Sequence, residues 1–199
     1  RSARWKGLTR RFRCRPRALC SGDVGDEIAN ARSGRSLHLW GTARYARDRR
    51  VIKEGVWSGF GETPDGPVDH SLPVLVITAP DGDKIRGIVF NYACHCTTFG
   101  GDYNRVNGDW AGYAAEYLEG AYPDAVALCT IGCGADQNPE RDSQRARDIA
   151  PQQGREIADE VARLWDKGER VEVTAAPAAS FGFAGLPIDR PSVEDLRKS

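Results

Sequence analysis

Two apolar runs, LPVLVIT (72–78) and IRGIVFNYAC (85–94), flank the six-residue segment APDGDK. Val and Ile crowd their own backbone at Cβ and pack well on a pleated surface, so both runs read as strands. The Asp-Gly step between them tolerates the backbone of a tight reversal, and the pair is expected to form an antiparallel hairpin. Three segments C-terminal to this hairpin narrow the fold further. DWAGYAAEYLEGAY, from Asp109, places Trp110, Tyr113, Ala114, Tyr117 and Leu118 at helical spacing. AVALCTI (125–131) is short and continuously apolar, the pattern of a strand buried on both faces. GREIADEVARLW then lines Ile157, Val161, Leu164 and Trp165 along one side of a second helix. Strand, helix, strand, helix in that order predicts a βαβ unit joined to the hairpin, hence an α/β fold with a mixed β-sheet and flanking helices. SLHLWG (36–41) adds a short strand, and GETPDGPVDH (61–70) reads as a turn-rich loop.

With 199 residues and 40% hydrophobic content the chain can bury one ordinary core, and a soluble globular protein is expected. No stretch approaches the roughly 18 uninterrupted apolar residues of a membrane-spanning helix, and no apolar signal core opens the chain. The compartment is left undetermined. The chain begins at Arg1 and lacks methionine, which suits an excised or incomplete reading frame. Charge is balanced overall but not along the chain: residues 1–50 hold 14 Lys and Arg against 4 Asp and Glu. An arm over residues 1–35, containing RRFRCRPR, is expected to be disordered or foreign to the rest. It could touch an anionic membrane surface or the acidic body itself, whereas no nucleic-acid-binding motif is present and no nucleic-acid partner is expected.

Three loops at or near predicted strand ends carry the candidate chemistry. In Cys94-His95-Cys96 an extended backbone would point His95 one way and both cysteines the other, so the three cannot close on one metal ion. The six cysteines, at positions 14, 20, 94, 96, 129 and 133, fall in close pairs. Those at 94, 96, 129 and 133 suit small packing residues, with a disulfide, or metal and redox work, as the alternatives. His95 stands where a strand gives way to the Gly-rich TTFGGDYNRVNGD, the place where α/β sheets bind ligands. IGCGADQNPE (131–140) follows the next strand, and its Asp136 and Asn138 project polar groups near that strand's end, or else close an Asx-type turn. Asp109 in NGDWAG reads as a helix N-cap compatible with a place at the site. Arg49 and Arg50 offer forked donors to a carboxylate or an oxyanion, or simply face solvent.

The stretches DRRVIKEGVW, ETPDGPVDHSLPVL, GIVFNYACHCTTFGG, NGDWAGYAAEYLE and CTIGCGADQNPE together resemble the neutral/alkaline non-lysosomal ceramidase family, in its broader bacterial branch. The resemblance runs from about residue 40 through LPIDRPSVEDL and leaves the arm outside it. It implies an internal fragment: a partial ceramidase-like α/β catalytic domain over 36–176, then a Pro/Gly-rich extended segment, 177–199, leading to a missing C-terminal part. It also implies a zinc-dependent (Zn2+) amide hydrolase acting on ceramide or a related lipid amide, with a lipid amide as partner.

In that family two histidines, a glutamate and a tyrosine hold the zinc. The N-x-x-x-H-x-T pattern, here Asn91 to Thr97, makes His95 one metal ligand. Arg49 corresponds to an arginine that clamps substrate or oxyanion, with Asp48 in place of the family's asparagine. Asn138 stands where ceramidases carry a serine before proline and is a candidate donor, and Asp136 is a candidate to hold the His95 ring or order its loop. The other zinc histidine has no counterpart in residues 1–70, and the glutamate and tyrosine are expected beyond residue 199. A noncatalytic α/β binding module with a basic arm for an anionic partner, and a thiol redox protein using Cys94 and Cys96, are the alternatives. The latter requires an exposed cysteine of low pKa.

Overall fold

The computed structural model describes residues 34–101, 103–140, 142, 145–175, 178, 180–185, 192, 194 and 197. Nearly all of the 1–35 arm and most of 177–199 therefore lie outside the described residues. The elements run β1 (Arg35–Thr42), β2 (Ala46–Lys53), β3 (Val56–Thr63), β4 (Ser71–Thr78), β5 (Ile85–Tyr92), α1 (Asp109–Ala121), β6 (Val126–Ile131), β7 (Gln137–Pro139), α2 (Ala146–Lys167) and β8 (Val171–Glu172). Strands β6-β5-β4-β1-β8 form a five-stranded sheet, and β3-β2-β7 a three-stranded one. The expected mixed sheet is present: β4 pairs antiparallel with β5, and β5 pairs parallel with β6 across the α1 crossover.

Alternation decides which face of the large sheet is covered. Leu72, Val74 and Val76 of β4, with Leu37, Leu39, Ile88, Phe90 and Tyr92, point to one side and are buried. Both helices pack there, through Trp110, Ala114 and Leu118 of α1 and Ile157, Val161 and Leu164 of α2. The helices approach closely because Gly154 has no side chain; a Cβ there would lie 2.6 Å from the Tyr113 Cβ and 2.8 Å from the Ala114 backbone nitrogen.

On the other face Trp40, Val126 and Leu128 are exposed. This corrects the expectation that 125–131 is buried on both sides: β6 is the edge strand, and no layer among the described residues covers its outer face. Two further boundaries differ from expectation. The second helix begins at Ala146 and carries Pro151 within it, whereas the apolar periodicity starts it at Gly154. The arginine-rich 46–53 and the loop at 137–139 are both strands.

The small sheet sits where the large one ends. The pairing directions put the carboxyl ends of β1, β5 and β6 at the same end, so β2, β7 and the residues after Tyr92 meet there. Tyr92 fastens the corner: its hydroxyl donates to the Ala43 carbonyl at 2.9 Å and accepts from the Ala46 N–H at 3.3 Å.

Candidate functional site

Three segments far apart in sequence converge at that end: β2 at 47–50, the residues 93–98 after β5, and the loop 132–138 leading into β7. Backbone bonds lock them. The His95 N–H donates to the Gln137 carbonyl at 3.1 Å and the Arg49 N–H to the Asp136 carbonyl at 2.8 Å. The loop lies against the chain after β5 because Gly134 lacks a side chain; a Cβ there would stand 2.7 Å from the Cys94 nitrogen and 2.8 Å from the Ala93 carbonyl carbon.

The strand has ended before Cys94, so the alternation expected through Cys94-His95-Cys96 does not apply. Cys94 is buried, Cys96 and Cys133 are exposed, Cys129 is between, and all four are free thiols. Only Cys94 is thus the fully buried packing residue expected of all four. Desolvation and the nearby Asp109 carboxylate push the exposed Cys96 thiol up to about 11, the opposite direction from the low pKa that the redox alternative requires.

His95 is held at both backbone groups, its carbonyl accepting from the Trp110 indole N–H at 3.0 Å. Its Nε2 is buried and has no hydrogen-bond partner among the described residues. Burial first, then the Arg49 and Arg50 guanidinium groups, pulls its pKa below the ordinary value, against the Ala135 carbonyl, which favours the charged ring. A ring of lowered pKa is neutral at neutral pH, with a nitrogen lone pair free to bind an electrophile.

Arg49 reaches the same spot. Its Nε and one terminal nitrogen donate to the Ala135 carbonyl at 3.0 and 2.7 Å, and Arg50 donates to the same oxygen at 3.3 Å. Two guanidinium groups on one neutral carbonyl leave most of their donors and all of their charge available to an anionic group. The Arg49 guanidinium also stands 4.5 Å from the Phe60 ring centroid.

Asn138 joins through its Oδ1, which accepts from the Thr97 hydroxyl at 3.3 Å. Asp136 enters by its backbone carbonyl, which accepts from the Arg49 N–H; no hydrogen bond joins its carboxylate to the His95 ring among the described residues. Asp109 is likewise not the N-cap, which is Gly108. It is the buried first helical residue, at φ 51°, and its carboxylate accepts from the Phe99 N–H at 3.2 Å and the Trp110 N–H at 2.8 Å. That pairing shapes an open groove of about 530 Å³ lined by Cys96, Thr97, Phe99, Gly100, Gly101, Asn107, Gly108 and Asp109. The groove adjoins the Thr97–Asn138 contact.

Of the four sequence-derived site residues, the fold brings Arg49, His95 and Asn138 to one corner by side chain, and Asp136 by backbone. Sequence reasoning missed the Ala135 carbonyl, Phe60 and the strand character of β7, and had Thr97 only as the end of the Asn91–Thr97 pattern, without its contact to Asn138. Nothing in a three-residue strand containing proline signals pairing. As for a metal, the free Nε2 of a neutral His95 fits one zinc ligand, but no group of three or more His, Cys, Asp or Glu among the described residues is arranged to hold an ion.

Comparison with known proteins agrees with the architecture. No protein-family model matches the chain, and no curated protein matches it by sequence. The neutral ceramidase from Pseudomonas aeruginosa superposes with a TM-score of 0.59 at 18% identity, over 76% of this chain and 26% of that one. A ceramidase complexed with C2 gives 0.58 at 17% identity, over 75% and 25%. The chain spans about a quarter of the length of these solved structures, and its α/β architecture is the fold of part of neutral ceramidase.

Proposed function

We propose that the chain is part of the catalytic domain of a zinc-dependent hydrolase of the neutral ceramidase type, which cleaves the N-acyl amide bond of ceramide or a related lipid amide. One observation carries this reading. A neutral histidine with an unpartnered, buried Nε2 stands beside two arginines whose guanidinium groups converge on one carbonyl. His95 would give one ligand to the zinc, and the rest would come from outside the described residues. When bound, zinc supplies a Lewis acid that polarises an amide carbonyl and acidifies water.

The chain's own residues have separate tasks. Arg49 and Arg50 stabilise negative charge developing on the carbonyl oxygen, since they already converge on a carbonyl and need little reorganisation. Asn138, anchored at Oδ1 by Thr97, keeps its amide N–H groups for the same oxygen or for the substrate's polar head. Trp110 fixes the backbone that aims the His95 ring, and the groove beside Thr97 receives part of the substrate.

The test uses the protein in its complete reading frame, with and without His95→Ala. Zinc content by mass spectrometry and cleavage of a fluorogenic N-acyl sphingosine are measured together. About one zinc per chain and amide cleavage, both lost in His95→Ala, is the expected outcome. Zinc-free protein, or unchanged activity after the substitution, overturns the reading.

A further inference from the structure

The buried side of α2 carries one polar side chain. Ala146, Ala150, Ile157 and Val161 line that side, and Gln153 lies among them at 4% exposure. An apolar residue would complete the stripe, whereas a buried amide costs free energy unless its two ends are bonded. Here both ends are bonded. The Thr98 hydroxyl, itself 1% exposed, donates to the Gln153 Oε1 at 2.6 Å, and the Gln153 Nε2 donates to the Glu140 carbonyl at 2.9 Å. A carbonyl can only accept, so the nitrogen must face Glu140 and the oxygen must face Thr98; the amide fits in one orientation.

The two partners lie on the two segments that bring His95 and Asn138 together. Thr98 adjoins Thr97, whose hydroxyl donates to the Asn138 Oδ1 at 3.3 Å, and Glu140 follows the end of β7. Each end of the bridge is held on its far side as well. The Glu140 N–H donates to the Tyr45 carbonyl at 2.9 Å, at the entry to β2, and the Phe99 N–H donates to the Asp109 carboxylate at 3.2 Å, at the start of α1. Phe99 also packs with Ala146 and Ala150, on the side of α2 that presents Gln153. The amide therefore holds the two segments at a fixed separation from behind, where the long Thr97–Asn138 contact alone would hold them loosely.

We propose that Gln153 is a positioning residue of the candidate site: by tying Thr98 to Glu140 it sets the spacing between the segment that carries His95 and the segment that carries Asn138. It acts through those two residues and not on a substrate. What the spacing serves rests on the hydrolase reading, but the tie itself needs neither metal nor turnover.

The experiment compares the protein in its complete reading frame with Gln153→Met, Thr98→Val and Ile157→Val. The first two remove the bridge from opposite ends with little change of bulk, so Thr98→Val decides the matter if Gln153→Met does not fold. Ile157→Val is the control: it trims a fully buried side chain on the same side of α2, lowers overall stability comparably and leaves the bridge intact. Hydrogen–deuterium exchange is followed by mass spectrometry in peptides covering 93–98 and 134–140. Exchange in both peptides is expected to rise roughly tenfold in Gln153→Met and Thr98→Val and to stay at the wild-type level in Ile157→Val. An equal rise in Ile157→Val would reduce Gln153 to a contributor to overall stability, and unchanged exchange in the bridge variants would show that the bridge holds nothing; either overturns the proposal. In cleavage of the fluorogenic N-acyl sphingosine, Gln153→Met should lose about tenfold in kcat with KM held, and a raised KM at wild-type kcat would also overturn it. Failure of the exchange result leaves the hydrolase reading standing, and failure of the zinc and amidase assays leaves the exchange result to decide the role of Gln153.

Discussion

Gly134→Ala is the sharpest test of how the candidate site is assembled. The new methyl would lie 2.7 Å from the Cys94 nitrogen, 2.8 Å from the Ala93 carbonyl carbon and 3.2 Å from the Ala93 oxygen. All three are backbone atoms, so no side chain can swing away, and carbon ordinarily approaches such atoms no closer than about 3.5 Å. The loop must retreat by more than half an ångström, or the chain carrying His95 must move. Overpacking of this kind costs about 2 kcal/mol, a roughly 30-fold rise in the unfolding constant. Gly112→Ala is the internal control. A Cβ at Gly112, inside α1, meets nothing within 4 Å, so alanine there is expected to stabilise by roughly 0.5–1 kcal/mol through helix propensity. The assay is urea unfolding followed by circular dichroism, and the signs of the two changes should be opposite. A stabilised or unchanged Gly134→Ala would show that the loop does not press against residues 93 and 94, and the convergence on His95 would fall with it.

Three further outcomes are expected. Trp110→Phe removes the donor to the His95 carbonyl at a fully buried position and should lower stability by about 1–3 kcal/mol; an unchanged urea midpoint would refute the bond. The Cys96 thiol, pushed up to about 11, should react with iodoacetamide at neutral pH on the order of 100-fold more slowly than free cysteine, read by peptide mass spectrometry, and a fast reaction would reopen the redox reading. The Glu160 carboxyl is held below its ordinary 4.5 by the Arg163 hydrogen bond foremost, aided by the Thr42 N–H and opposed by burial. Its contribution to stability is therefore present above pH 4.5 and lost as pH falls through the lower folded-state value. Glu160→Gln should flatten the acid limb of a plot of urea midpoint against pH, and an unaltered limb would remove the carboxylate from the account.

The parts of the fold legible in sequence are those where one period dominates. β4 and β5 alternate, α1 repeats apolar residues at helical spacing, and β6 is continuously apolar, so the βαβ unit and its hairpin emerge from pattern alone. β2 hid because its charged residues face the site and solvent, leaving no apolar alternation to read. The first two turns of α2 hid behind Pro151, which lacks an N–H and ordinarily ends a helix. At the site, His95 and Asn138 were legible as residue types near strand ends, and Arg49 as a forked donor. Their meeting was not, because it depends on β7 pairing with β2 and on a carbonyl, Ala135, that every residue possesses.

The arginine clamp on Ala135 spans 86 residues of chain. Closing a loop of that length costs entropy before any contact repays it, so the clamp is a long-range contact that relies on β2 pairing with β7. Such long-range closure makes the corner a reporter of tertiary assembly, since β2, the residues after β5 and the loop before β7 must all be in place for two guanidinium groups to share one carbonyl oxygen.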